Sequence, residues 1–346
     1  MDDEFTINVN MAASLIGTIA HEDALKSIPE INYLLQNDYS TGIKAASRLN
    51  FVAFNMEKGI KLPQIIAYLK YHPKLMEADI ILANELDLGM ARTDLRNISE
   101  EIAKEIQMNY VYGIEYIALP AGQNGNKESL HGNTIYSKYP LEDLKIIRLP
   151  LVYDWFYSDQ KRIGTRIAIF ATAVIGSKKI GVVCTHLENR TNPEGRTEQI
   201  KVLLREIDNH FGTLPIIIGG DMNTNAVNNN NDVEMERLAN DREEQYKRLK
   251  LVEDYESMFS YVKSRGYDYE NCNLINKSTR RKRWKDKESI LLNLDWFFTR
   301  GIICENPGVV TTIFDSRELI TEQIDLKMFD ANEISDHDAI YMECLL

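Results

Sequence analysis

The sequence predicts an α+β protein in which β-sheets pack face to face and helices cover their outer sides. Two observations carry that prediction. Short, nearly continuous apolar runs recur along the chain, bounded by Gly, Pro and Asn, as strands buried on both faces are. Between them lie segments with apolar residues at helical spacing, which places helices outside the sheets. With 346 residues, 44% hydrophobic and 27% charged, the chain can bury a large core in one or two domains.

The first 48 residues differ in texture from the rest. Residues 11–25 and 30–49 read as helical, broken at Pro29, and carry no chemistry-bearing motif. The expected organisation is a helical N-terminal extension over 1–48, packed on the core or on a protein partner, then one catalytic domain over 49–346. Strands are expected at 49–54, 78–83, 166–174, 179–184, 214–218, 292–298 and 339–345. A helix is expected over 196–211, where Ile200, Leu203, Leu204 and Ile207 form one stripe and Gly212 stops it. Another is expected over 93–108, through Leu95, Ile98, Ile102 and Ile106. Residues 224–248 are polar and read as a loop feeding a solvated helix. The basic run Arg280, Arg281, Lys282, Arg283, Trp284, Lys285 reads as a solvated loop, the alternative being contact with a nucleic-acid backbone or anionic headgroups.

A net charge of -12 and a pI near 5.1 argue against nonspecific grip on long nucleic acid, which needs a basic face. Carboxylates that await a cation give the same acidic balance. Cys184, Cys272, Cys304 and Cys344 are scattered without zinc-like spacing, so structural thiols in a reducing compartment are expected, the cytoplasm by default. No apolar run approaches the roughly 18–20 residues of a membrane span, and the start Met1-Asp2-Asp3-Glu4 is acidic where a secretory signal is basic.

The chemistry lies where strands end. Asn55 follows one apolar run, Glu85 a second, His186 a third, and Asp221 with Asn223 a fourth, in Gly219-Gly220-Asp221-Met222-Asn223. If those strands lie side by side, the polar residues meet at one end of a rigid sheet, the usual place for catalytic groups. Asp295 lies within an apolar strand in Leu294-Asp295-Trp296, which is costly without a partner. Ser335-Asp336-His337-Asp338 precedes the last strand. Taken singly, each has a blander reading: a turn asparagine, an exposed carboxylate, an Asx-rich turn.

In that order, Asn, Glu, His, GDMN, LDW and SDH, the motifs resemble the endonuclease/exonuclease/phosphatase superfamily over roughly residues 50–346. The resemblance implies a deoxyribonuclease I-like four-layer α/β sandwich, two packed β-sheets flanked by helices. It implies a phosphate-ester hydrolase dependent on Mg2+, with Mn2+ as a substitute. Carried over residue by residue, Glu85 is the principal metal ligand, helped by Asn55 and Asp336, since magnesium takes hard oxygen donors. Asp221 and Asn223 hold the attacking water. His337, oriented by Asp295, contacts the phosphate or moves a proton, and His186 stabilises charge or protonates the leaving oxygen.

The segment around His186 is similar to the histidine-containing branches, nearest to 5'-tyrosyl phosphodiesterases and bacterial members. The substrate expected is a phosphodiester, nuclease-type favoured. A phosphatase or a lipid phosphodiesterase of sphingomyelinase or inositol-phosphate type is the alternative, and a dead, partner-binding member the remote one. Arg92, His131, Asn133 and Trp155 are weaker candidates for substrate contact; Arg92 and Arg96 are equally explained by salt bridges, and Trp155 by core closure. Glu115 is a candidate carboxylate partner for a histidine. His21, His72 and His210 read as structural or solvent-facing.

Overall fold

The computed structural model describes residues 7–41, 46–119, 125–228, 231–285, 288–314, 319 and 333–346. Its strands, in chain order, are β1 Leu34–Asn37, β2 Arg48–Lys58, β3 Ile80–Leu88, β4 Asn109–Ala118 and β5 Leu130–Ser137. There follow β6 Leu141–Arg148, β7 Arg162–Gly164, β8 Ile167–Ile175, β9 Lys178–Thr185 and β10 Ile216–Asp221. The last are β11 Arg280–Lys282, β12 Ile290–Leu292, β13 Asp295–Arg300, β14 Ile303–Val310 and β15 Ala339–Leu345. The helices are α1 Val9–Ser14, α2 His21–Lys26, α3 Leu62–Tyr71, α4 Ile98–Ile106, α5 Pro193–Phe211, α6 Asp232–Ala239, α7 Arg242–Lys250, α8 Val252–Tyr255 and α9 Met258–Ser264.

One sheet runs β1-β4-β5-β3-β2-β15-β14, with β7 added on β4, and the other runs β13-β10-β9-β8-β6. Successive side chains of a strand point to opposite faces, and here both faces are buried. In β2, Phe51 and Ala53 enter a core shared with Ile169, Val182, Ile217 and Phe297 of the second sheet. Val52 and Phe54 enter an outer core with Ile65 and Leu69 of α3 and Ile98 and Ile102 of α4. On the far side, Ile200, Leu203, Leu204 and Ile207 of α5 meet Phe170, Val183, Ile218 and Phe298. Three apolar layers between four layers of structure make the expected sandwich. Each fully buried Leu, Ile or Phe contributes about 1.5–3 kcal/mol.

The N-terminal segment differs from its expectation. Instead of a helix over 30–49, Pro29–Asn32 is a single 3-10 turn and β1 pairs antiparallel with β4. Adjacent leucines explain this: Leu34 packs on the inter-sheet core and Leu35 on the outer core, which a strand allows and a helix stripe does not. Ile7, Ala12, Ala24, Ile28 and Ile31 are spent on the chain's own core.

Four further readings change. Asp94 and Leu95 adopt left-handed backbone, Asn97 caps α4 through Glu100 N–H, and Leu95 is exposed, so the helix expected over 93–108 is shorter. Asn231 and Asp241 cap α6 and α7, whose Met235, Leu238 and Leu249 are buried, so 224–248 is more than a solvated helix. Arg280–Lys282 of the basic run, expected as a loop, form β11 and pair with β12, and the apolar run expected as one strand divides between β12 and β13. No helix among the described residues is long and apolar enough to cross a membrane.

Candidate functional site

Two parallel pairs, β2 with β3 and β9 with β10, stand at the centres of the two sheets, and their carboxyl ends lie at one rim. Three bulges shape that rim. Pairing of β2 with β3 slips between Asn55 and Lys58, of β3 with β5 between Ala83 and Leu86, and of β4 with β5 between Ile114 and Tyr116. A bulge leaves one residue unpaired and re-aims its side chain. The residues so left are Met56 and Glu57, Asn84 and Glu85, and Glu115, with Lys58 at the bulge's far end. Glu57, Lys58 and Glu85 all have positive φ, at 45°, 68° and 56°, the kind of local strain that collects at functional sites.

Asp221 is the hub. Its Oδ2 accepts from Asn55 Nδ2 at 3.0 Å and lies 3.4 Å from His186 Nε2 and 3.6 Å from His337 Nε2. Its Oδ1 accepts from the Asn223 N–H at 2.9 Å, and its own N–H donates to Asn84 Oδ1 at 2.8 Å. Burial alone would raise this carboxyl, but His337 and His186 hold it well below the usual range. Asp295 stands directly opposite Asp221 on β13, and its Oδ2 is 2.8 Å from His337 Nδ1. Burial and the Asp221 charge outweigh His337 and push the Asp295 carboxyl up. For His337 itself, burial opposes protonation but Asp295 and Asp221 prevail, raising it to about 9.

His186 is built the same way. Burial and Arg166 oppose its charge, yet Glu115 and Asp221 raise it to about 9. Glu115 lies 3.4 Å from His186 Nδ1 and accepts from Arg166 at 2.6 Å. Glu115 is thus the carboxylate beside His186. Asn223 donates from Nδ2 to Leu187 O at 2.9 Å, tying its loop to the His186 strand.

The remaining rim is rich in oxygen. Asn55 Oδ1 accepts from the Glu57 N–H at 3.1 Å, Glu57 Oε2 from the Asp336 N–H at 3.3 Å, and Ser335 Oγ donates to Asn55 O at 2.8 Å. Glu85 pairs with Lys58 Nζ at 3.0 Å, and Asp336 pairs with Arg280. Burial would raise Glu85, but Lys58, His131 and His186 hold it well below the usual carboxylate range. Burial and the Asp336 charge raise Glu57. Hard oxygen donors of this kind suit a small divalent cation. Asp221, Asp295 and His337 form a second grouping able to hold a metal, with ligand atoms all within 4.8 Å of one another.

The weaker candidates have other duties. Arg92 forks onto Asp87 at 2.6 and 2.8 Å, His131 Nδ1 is 2.8 Å from the same carboxylate, and Arg96 pairs with Glu101. Asn133 is fully buried, bridging Asn84 and Glu115, and so positions the site from behind. Trp155 is buried, donates to Glu188 at 2.9 Å and has Arg162 4.4 Å over its ring, so the ring closes the wall and offers no open stacking face. Among the other histidines, His21 is buried and accepts from the Gly164 N–H at 3.1 Å. A cavity of about 710 Å³ beside α5, α6 and α7 is lined by none of the converging residues.

Sequence reasoning missed Asn84, Glu57, Lys58 and Arg166 as site residues, and named Arg280 only as part of the basic run. Asn84 stood beside Glu85 at the same strand end, and Arg166 opened an apolar strand, so both carried a usable signal.

No protein-family model matches the chain, and no curated protein matches it in sequence. Solved structures do match in fold. An endonuclease/exonuclease/phosphatase protein from Beutenbergia cavernae aligns at 15% identity and TM-score 0.56, over 87% of this chain and 72% of that one. D. rerio TDP2 complexed with single-strand DNA product aligns at 14% identity and TM-score 0.51, over 87% and 100%. The Bacteroides thetaiotaomicron mannosyl-6-phosphatase Bt3783 aligns at 13% identity and TM-score 0.53, over 86% and 100%. The chain therefore has the fold of the endonuclease/exonuclease/phosphatase proteins.

Proposed function

We propose that this protein is a divalent-metal-dependent hydrolase of phosphate esters that cuts a phosphodiester by in-line attack of water. The observation that carries the reading is one buried carboxylate, Asp221, set between His186 at 3.4 Å and His337 at 3.6 Å, each backed by a second carboxylate. Asp221, ionised and lowered, orients the attacking water; as the new O–P bond forms, the water's proton leaves to solvent by way of this carboxylate, with Asn223 flanking it as a second polar contact. The His186 and His337 imidazoliums face the negative charge that grows on phosphorus and on the leaving oxygen, preorganised by Glu115 and Asp295. Either ring has an N–H to give to the leaving group, a contribution of about 10²–10⁴.

Glu85, Asn55 and Asp336 would hold magnesium or manganese, which when bound polarises the phosphoryl oxygens. We favour this oxygen rim over the Asp221–Asp295–His337 grouping because magnesium takes hard oxygen donors, whereas that grouping offers an imidazole nitrogen. Four buried free cysteines, Cys304 and Cys344 with sulfurs 3.3 Å apart, support placement in the reducing cytoplasm.

The fold is shared with a DNA-bound protein and with a sugar phosphatase, so a monoesterase is the second reading. The test is a panel of DNA, RNA, 5'-phosphotyrosyl ends, sphingomyelin, inositol phosphates and a chromogenic diester, with magnesium or manganese and a chelator control. Cleavage is expected with metal, lost with chelator, and lost by at least ~10²-fold in Asp221→Ala and His337→Ala. Full activity in either variant, with circular dichroism unchanged, overturns the assignment.

A further inference from the structure

The last two strands carry a pair of thiols that the proposed chemistry leaves unused. Cys304 of β14 stands directly opposite Cys344 of β15, and their sulfurs are 3.3 Å apart, close enough for an S–H···S contact. Directly opposed residues of an antiparallel pair have Cα atoms about 4.5 or 5.5 Å apart. Both spacings fall in the ~4.4–6.8 Å window of a disulfide, whose sulfurs lie about 2.05 Å apart. Small side-chain rotations therefore suffice to join the two sulfurs. The pair is made by strand register, since 40 positions separate its members in the chain.

The two thiols differ in access and in acidity. β14 is the edge of its sheet, and Cys304 keeps 9% of its surface open there, next to the exposed Ile303. Cys344 is fully buried, opposite Leu49 of β2 on its other side. The sulfur–sulfur contact holds the Cys304 thiol below its ordinary value, and the same contact, with burial, pushes Cys344 up. The thiolate is the nucleophile, so Cys304 meets an oxidant first and Cys344 resolves the product. The other cysteines are turned elsewhere. Cys272 Sγ lies 3.3 Å from both Asp268 O and Phe297 O, and Cys184 Sγ lies 3.5 Å from Ala83 O.

We infer that Cys304 and Cys344 form a redox modification site, a dithiol that hydrogen peroxide closes to a reversible disulfide. In the first step the Cys304 sulfur attacks one peroxide oxygen, the O–O bond breaks, and Cys304 becomes a sulfenic acid as water leaves. In the second the Cys344 sulfur attacks the Cys304 sulfur, the S–O bond breaks, and a second water leaves. The two sulfurs together give up two electrons to the peroxide, and their two protons end in the two waters. A dithiol reductant reverses the change, so the open form prevails in a reducing compartment.

Closure would fasten a strand now held on one side. Among the described strands β14 pairs with β15 alone, and that pairing is broken by a register shift between Glu305 and Gly308. Past the site end of β14, Thr312 clasps the catalytic turn. Its Oγ1 lies 2.8 Å from Ser335 O and 2.7 Å from His337 O, and its N–H donates to Asp338 Oδ1 at 2.8 Å. A bond at Cys304 would secure the opposite end and close a loop that contains this whole clasp.

The test takes the full chain, reduced and then freed of reductant, and exposes it while folded to hydrogen peroxide. Remaining thiols are blocked with N-ethylmaleimide, and linked peptides are mapped by mass spectrometry. Free thiols are expected to fall from four to two, with Cys304 joined to Cys344 in one chain, and to return with dithiothreitol. Cys304→Ser and Cys344→Ser should form no such link, and Cys272→Ser should form it as wild type does. The closed wild type should melt on the order of 5 °C above the open form, and the two serine variants should show no such rise. Four thiols retained in a chain of native circular dichroism overturn the site. So do a link through Cys184 or Cys272, a link between chains, over-oxidation of Cys304 with Cys344 still free, and a link that forms only in urea. A link without a rise in melting temperature overturns the fastening of β14. No phosphate ester enters these measurements, so the outcome is independent of the hydrolase reading.

Discussion

Asp221 and Asp295 face each other on neighbouring strands, an arrangement two carboxylates accept only with a cation between them. His337 is that cation, and His186 is a second one on the far side of Asp221. This makes the histidines contributors to stability as well as to chemistry. For His186 the folded-state pKa, about 9, lies above the unfolded value of ~6.5. Its stabilisation is therefore complete below pH ~6.5 and is lost as pH rises through about 9. In chelator, the urea midpoint of wild type should exceed that of His186→Gln near pH 6, and the gap should close towards pH 9.5. A gap that stays constant over this range would mean that the ring never changes charge. At this scale much was legible: Asn55, Glu85, His186, Asp221, Asn223, Asp295, Asp336 and His337 each stand at a strand end or beside a turn, and all meet at one rim. Arg280 was not legible, because its role depends on which side of a short strand it occupies, and a run of four consecutive basic residues hides the alternation.

At the scale of elements, strands with both faces buried could be read from composition, whereas bulges could not. Nothing in Asn55-Met56-Glu57-Lys58 announces that pairing slips there, so Glu57 and Lys58 emerged only from the register. The glycines preceding Asp221 are a different matter. Gly220 has φ of 140°, and a Cβ there would meet Thr185 O at 2.0 Å and Asn84 Oδ1 at 2.8 Å. It keeps β10 close enough to β9 and β3 for Asn84 to hold the Asp221 N–H. Gly220→Ala should lower stability by roughly 3 kcal/mol or more, read as a fall in denaturant midpoint. An unchanged midpoint would show that the close approach of the three backbones is dispensable. The buried pair Arg196–Glu256 does similar work from the other side, since Glu256 Oε1 also accepts from the Ala226 N–H at 2.8 Å and so anchors the loop after Asn223.

For the molecule as a whole, residues 7–40 are better described as part of the sandwich than as an attachment to it. β1 covers the edge of β4, Arg148 donates to Ile31 O at 2.7 Å, and His21 caps Gly164 on β7. A chain lacking residues 1–40 would expose the β4 edge and an apolar face, a known route to aggregation. We expect such a chain to be insoluble or to form large oligomers by light scattering. Recovery as a monomer with an unchanged melting temperature would instead mark the segment as separable.

Asn55 and His337 are separated by most of the polypeptide, yet Asp221 lies within hydrogen-bond or ion-pair range of both. The strands beneath them are joined through parallel pairs, which close only after long crossovers have formed. Neither half of the chain can assemble this centre alone, so a partly folded intermediate lacks it. Under the proposed function, hydrolytic competence would report completion of folding, arising only once the last strand has docked.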